Sequence, residues 1–131
     1  MEGYKSNHNV VYSSQYHCVW TPKYRRAVLV ESIAKRCEQV IRQVAAKYKA
    51  EIMALEIMPD HVHVLVEVDQ QFGIHRLGKN MKGVSSHTLR QEFRTLKSRL
   101  PTLGTNSYFV STVGGAPLAV IQQYVENQKN V

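Results

Sequence analysis

The chain has 131 residues, 44% of them hydrophobic and 21% charged, the balance of a folded domain with one core, which excludes the disordered and membrane-spanning classes. No apolar run approaches the roughly 20 residues a spanning helix needs, and Met1 to Val10 lacks the apolar stretch of a secretory signal, so a single cytoplasmic domain over residues 1–131 is expected. Seventeen Lys and Arg against ten Asp and Glu give a net charge of +7.

Val10 to Trp20 is rich in Val and Tyr, has no glycine or proline, and is closed by Thr21-Pro22, which predicts a first strand although its pattern is not cleanly alternating. From Ser32 to Tyr48 the apolar residues Ile33, Cys37, Val40, Ile41, Val44 and Ala45 recur at three- and four-residue steps, an amphipathic helix with Ser32 available as its cap. Ile52–Met58 and Val62–Val68 are two strands, and Pro59-Asp60 between them favours a tight reversal. A second helix is expected within Ile74–Phe93, with Gly78 and Gly83 weakening its propensity. Ser107–Val113 reads as a further strand ended by Gly114-Gly115, after which Pro117 opens a last helix with Leu118, Ile121 and Val125 as its apolar stripe. The order β-α-β-β-α-β-α is that of an α+β, ferredoxin-like (split βαβ) antiparallel sheet with helices on one face, plus one C-terminal helix. Cys18 and Cys37 make neither a disulfide framework nor a close-spaced zinc knuckle and read as reduced core thiols.

The excess charge is concentrated. Between His75 and Arg99, seven cations (Arg76, Lys79, Lys82, Arg90, Arg94, Lys97 and Arg99) face one acid, Glu92, a net +6. A smaller cluster, Lys23, Arg25 and Arg26, is interleaved with Trp20 and Tyr24. Cations beside aromatic rings suit a nucleic-acid strand, since the cations neutralise phosphates and the rings stack on exposed bases. The bland reading is a solvated helix face, and composition does not separate the two.

In His61-Val62-His63-Val64-Leu65-Val66 strand geometry puts both imidazoles on one face, about 7 Å apart along the strand, where their nitrogens can share a metal ion. Two histidines on the polar face of a half-buried strand would look the same. Tyr124 and Gln128, four residues apart, lie on one edge of the last helix, so that a phenol and an amide oxygen face one site. With an ordinary pKa of about 10 the phenol becomes a nucleophile only where something stabilises its phenolate, as a divalent metal does; alone, it is more often a packing residue.

Taken together the chain resembles the single-tyrosine HUH transposases of the insertion-sequence-200/605 group, small enzymes that move single-stranded DNA. The resemblance rests on Tyr16-His17-Cys18-Val19-Trp20-Thr21-Pro22-Lys23-Tyr24-Arg25, on Met58-Pro59-Asp60-His61-Val62-His63, on Ser107-Tyr108-Phe109-Val110, on Gly114-Gly115-Ala116-Pro117 and on Tyr124-Val125-Glu126-Asn127-Gln128. It implies that His61, His63 and Gln128 are metal ligands, that Tyr124 on the C-terminal helix is the catalytic nucleophile, and that the metal is Mg2+ or Mn2+. It further implies subterminal hairpins of single-stranded DNA as partner, a 5′-phosphotyrosine intermediate, and a homodimer whose active sites are shared between subunits. Lys23, Arg25, Arg26, Arg76, Lys79, Lys82, Arg90 and Arg94 are the candidate DNA contacts. One departure stands out: the family usually has Trp after the Leu that precedes the Ser-Tyr-Phe strand, and here Gly104 follows Leu103.

Three competing readings make different demands on the sequence. Histidine-triad nucleotide hydrolases need a third His where this chain has Leu65. Single-strand RNA-binding domains share the element order but use a Lys/Arg-Gly-Phe/Tyr motif that is lacking here. A domesticated relative that binds hairpins without cleaving them would not need intact site residues.

Overall fold

Alternating side chains divide the main sheet into two faces. In the strand His61–Asp69 the even positions Val62, Val64, Val66 and Val68 are fully buried, while His61, His63 and Leu65 are only partly covered. In Ser13–Trp20 the same rule sends Tyr16, Cys18 and Trp20 into the core that Val62 to Val68 share with the helices. A computed structural model of the chain describes residues 6–7, 10–11, 13–99, 103, 108–113 and 118–128. Among these, the strands in chain order are β1 (Ser6–Asn7), β2 (Val10–Val11), β3 (Ser13–Trp20), β4 (Glu51–Met58), β5 (His61–Asp69) and β6 (Phe109–Thr112); the α-helices are α1 (Glu31–Lys47), α2 (Ile74–Glu92), α3 (Arg94–Arg99) and α4 (Leu118–Asn127).

The main sheet runs β4-β5-β3-β6 with every pairing antiparallel. With α1 and α2 packed together on one face, this is the predicted split βαβ arrangement. The strand expected over Val10–Trp20 is divided: Val10 and Val11 pair back onto Ser6 and Asn7, and only Ser13–Trp20 enters the main sheet. The irregular alternation of that stretch is the trace of two strands with different partners.

α1 buries Cys37, Val40, Ile41, Val44 and Ala45, the stripe its spacing predicts. Its cap differs from expectation. Ser32 lies within the first turn and is exposed, Val30 holds the cap position, and no side chain caps the helix. The hairpin of β4 and β5 turns at Pro59-Asp60 as expected, pairing Met58 with His61. α2 tolerates Gly78 because a Cβ there would stand 3.2 Å from Cys18 Sγ and 3.3 Å from the Tyr108 ring, so the missing side chain lets helix and sheet approach. The basic run past Phe93 forms the further short helix α3, which the periodicity does not reveal. Cys18 and Cys37 are free and buried, and burial pushes both thiols up to about 12, so they are inert packing groups. Gly104, Ser107, Gly114, Gly115 and Pro117 lie outside the described residues, as does the side chain of Leu118; of the α4 stripe, Ile121 is buried and Val125 half-buried.

Candidate active site

Strand register builds the site on the face away from α1 and α2. Phe109 of β6 pairs with Val19 of β3, Val19 with His63 of β5, and His63 with Glu56 of β4, which makes one row across all four strands. Directly paired residues point to the same side, so Phe109, Val19, His63 and Glu56 share a face with His61, two positions along β5. His17 pairs with Leu65 and is thus the diagonal neighbour of His63 on that face; its Nδ1 lies 2.9 Å from His63 Nε2 and the ring centroids are 5.1 Å apart. Nothing in the motif spacing singles out His17. Its signal is a polar ring in a strand whose neighbours are Tyr16, Cys18 and Val19, and its relevance appears only when β3 is laid beside β5.

The two predicted ligands have different surroundings. His61 Nδ1 is 2.8 Å from Asp60 Oδ1. A carboxylate accepts and does not donate, so Nδ1 carries a proton, and in the neutral ring Nε2 is left with its lone pair, the orientation a metal-binding histidine has when a carboxylate stands behind it. His63 is held below the ordinary histidine range, first by burial, then by the neighbouring His17, with His61 adding a little and Glu56 opposing. Burial and His17 thus favour its neutral form, the form in which an imidazole binds a metal. Among the described residues no three His, Cys, Asp or Glu side chains form a group that could hold a metal ion.

The last helix brings the remaining residues to this face. The Tyr124 ring packs 5.5 Å from Phe109 at a tilted angle, which places α4 of the same chain beside the β6 end of the row. Four residues on, Gln128 is buried at 8% exposure, unusual for an amide at a helix end and in keeping with a side chain that faces the protein. Arg25 spans from the turn after β3 to α4: its Nη1 is 2.6 Å from Glu126 Oε2 and its Nε 3.3 Å from Asp60 Oδ2. An open groove of about 430 Å³ runs along Phe109, Ala119, Val120, Gln123, Tyr124 and Asn127, so the phenol borders a space that an extended strand can enter. The shared-subunit arrangement implied by the resemblance would place this helix on a partner; within the single chain it docks on its own sheet.

The predicted DNA contacts separate into groups. Arg76, Lys79 and Arg94 are exposed on α2 and α3, whereas Lys82 and Arg90 are half-buried, and burial pulls the Lys82 ammonium below its ordinary range. These side chains belong to the helix layer, across the sheet from the histidines. Arg76 stands 4.6 Å over the Phe72 ring. Near β3, Lys23 lies 5.2 Å over the half-exposed Tyr24 ring and Arg26 is exposed, while Arg25 is engaged by two carboxylates. Trp20, expected from sequence to be a stacking ring among these cations, is instead a core residue at 4% exposure, because its position on β3 faces the helices.

Comparison with known proteins bears on the family and the fold. The family model described as "Transposase IS200 like" matches residues 10–128. The chain is 36% identical over 126 residues to the ISDra2 transposase TnpA of Deinococcus radiodurans, covering 95% of this chain and 90% of that protein. It is 29% identical, over 95% of its length and 82% of the relative's, to the transposase for insertion sequence element IS200 of Salmonella typhimurium. Among solved structures, a chain described as a transposase of Deinococcus radiodurans R1 superposes with a TM-score of 0.85 at 36% identity, covering 97% of this chain and 99% of that one. A REP-associated tyrosine transposase bound to a REP hairpin shares the fold at a TM-score of 0.60 and 12% identity, covering 93% and 68%.

Proposed function

This chain belongs to the IS200-like transposase family, and we propose that it cleaves and rejoins single-stranded DNA at hairpin-bearing ends, with Tyr124 as nucleophile and His61, His63 and Gln128 as the ligands of Mg2+ or Mn2+. The observation that carries the reading is that α4 sets the phenol of Tyr124 against the sheet face that bears His61 and His63. The donor set suits such an ion: His61 has its Nδ1 turned to Asp60, His63 is favoured in its neutral form, and Gln128 carries a buried amide whose oxygen is a neutral donor. Bound there, a divalent ion would neutralise a scissile phosphate and favour departure of the 3′ oxygen.

The remaining steps belong to the protein's own residues. The Tyr124 oxygen forms the new P–O bond as the P–O3′ bond breaks; the electron pair stays on the 3′ oxygen, which takes up a proton as the phenol gives one up. The products are a 5′-phosphotyrosine and a free 3′ hydroxyl. Because one phosphate ester replaces another, a second 3′ hydroxyl can reverse the step and join new DNA without ATP. The open groove beside Tyr124 gives the strand access, and a related fold is already known with a hairpin bound. Incubation with 3′-32P-labelled hairpin DNA and Mn2+ should give a labelled protein band stable to denaturant, and none in excess chelator. A strand cleaved without any covalent adduct would exclude the tyrosine mechanism.

The basic stripe of α2 and α3 tracks the hairpin backbone in this reading, on the layer opposite the histidines, so binding and cleavage are separable. Replacing Arg76 and Lys79 by Gln should weaken hairpin binding across sequences and lower the log–log salt slope by about 0.7 to 0.9 for each phosphate no longer neutralised. Cleavage at saturating DNA should persist. An unchanged slope returns these side chains to a solvated face.

A homodimer that exchanges α4 would form the same contacts between subunits. Mixing a Tyr124→Phe chain with a His61→Ala, His63→Ala chain then yields heterodimers with one intact site, and cleavage should return from two inactive proteins. Demonstrated heterodimers without activity would mean that each chain uses its own helix at the cleavage step.

A further inference from the structure

We propose that Arg25 is a positioning residue that joins the nucleophile helix to the carboxylate behind His61, so that docking of α4 and orientation of the His61 imidazole depend on one another. The inference rests on the roles of Tyr124 and His61 proposed above. Its basis is a continuous chain of polar contacts. Glu126 Oε2 accepts from Arg25 Nη1 at 2.6 Å, Arg25 Nε forms an ion pair with Asp60 Oδ2 at 3.3 Å, and Asp60 Oδ1 accepts from His61 Nδ1 at 2.8 Å. Glu126 lies midway between Tyr124 and Gln128 in the sequence, and one guanidinium bridges it to the carboxylate beside His61. The Arg25 and Asp60 side chains are 22% and 30% exposed, which leaves them less screened than an ordinary surface pair, whereas Glu126, at 53%, makes the link to α4 the more screened of the two.

The local backbone is shaped for this task. Tyr24 and Arg25 both have positive φ, 60° and 51°, a region that side-chain-bearing residues seldom occupy even singly. Strain of this kind persists only where the surroundings enforce it. Here the Lys23 N–H donates to the Leu103 carbonyl at 2.6 Å, the Arg25 N–H to the Pro22 carbonyl at 2.8 Å, and the Leu29 N–H to the Pro59 carbonyl at 3.0 Å, tying the bend to the same turn that carries Asp60. The planar fork of arginine offers N–H groups in two fixed directions; a lysine ammonium on a flexible stem does not hold two partners in the same relation.

The test uses the full chain, free of DNA and metal, in wild-type, Arg25→Gln, Glu126→Gln and doubly substituted forms. Amide hydrogen exchange over residues 118–127 should speed up about three- to fivefold in each single variant, and the double variant should exchange no faster than the faster single one. Glu126 is an exposed helix position, so Glu126→Gln keeps the test valid even if Arg25→Gln disturbs the strained turn. Wild-type exchange rates in both single variants, or effects that multiply in the double, would overturn the link to α4. Mn2+ titration provides the second readout: Arg25→Gln should weaken binding several-fold by releasing Asp60, and unchanged affinity would overturn the link to His61. A wild-type chain that takes up no Mn2+ at all would instead refute the metal reading of the histidines, and the exchange data would still decide whether Arg25 holds α4.

Discussion

Tyr124→Phe should reduce covalent DNA adduct to background, a loss on the order of 10³-fold or more, because the substitution removes the only oxygen the mechanism uses for attack. The ring stays, and with it the packing against Phe109, so stability should change by about 1 kcal/mol or less. Hairpin affinity should hold as well, since the proposed phosphate-binding side chains lie on the other layer. Gel detection of labelled adduct, with thermal melting and hairpin binding as controls, separates loss of chemistry from loss of fold. Should adduct persist, Tyr108 is a poor fallback. It precedes β6 and turns toward α2, its hydroxyl donates to the His75 carbonyl at 3.1 Å, and burial pushes its pKa up.

His61→Ala and His63→Ala should each abolish cleavage by a different route. Loss of His61 removes the imidazole whose Nδ1 is turned to Asp60; loss of His63 removes the half-buried ring next to His17 that is favoured in its neutral form. With two imidazoles and one amide as donors, deletion of either ring should weaken Mn2+ binding by at least the roughly 10- to 100-fold that losing an outer-shell partner costs at other metal sites. Neither residue belongs to the main core, so both variants should melt close to wild type. Mn2+ titration alongside the adduct assay checks the prediction, and full cleavage by either variant, or by wild type in excess chelator, would remove the metal from the mechanism.

The lowered His63 pKa also sets the direction in which this site gives way with pH. The unfolded chain takes up a proton on His63 at ordinary histidine pH while the folded chain resists, so the stability from its neutral form is complete above that range and declines as pH falls through it. The same titration opposes metal binding, and both effects point to loss of activity on the acid side.

Periodicity makes most of this architecture legible. The α1 stripe and the alternation of β5 place the core, and the split βαβ order follows from the sequence of elements. His61 and His63 are legible because a strand period of two puts them on one face whatever its partners. The rest depends on contacts between distant segments that no local spacing encodes. His17 and His63 are 46 residues apart and meet only through strand register. Arg25 and Glu126 are 101 apart, and a basic cluster beside aromatic rings suggests a DNA contact where the fold provides an internal bridge. Trp20 is misplaced on the surface for the same reason: composition around a residue does not tell which face of the strand it occupies. α3 escapes because six residues are too few to show a helical period.

Peptide mapping of the DNA adduct tests the central claim most directly. After cleavage in Mn2+, digestion of protein and DNA, and mass spectrometry, the peptide carrying a residual nucleotide should contain Tyr124 with the label on its phenol oxygen, joined through the 5′ phosphate. A nucleotide on Tyr108 or any other side chain, or one joined through a 3′ phosphate, would contradict the assignment of Tyr124 and the direction of attack.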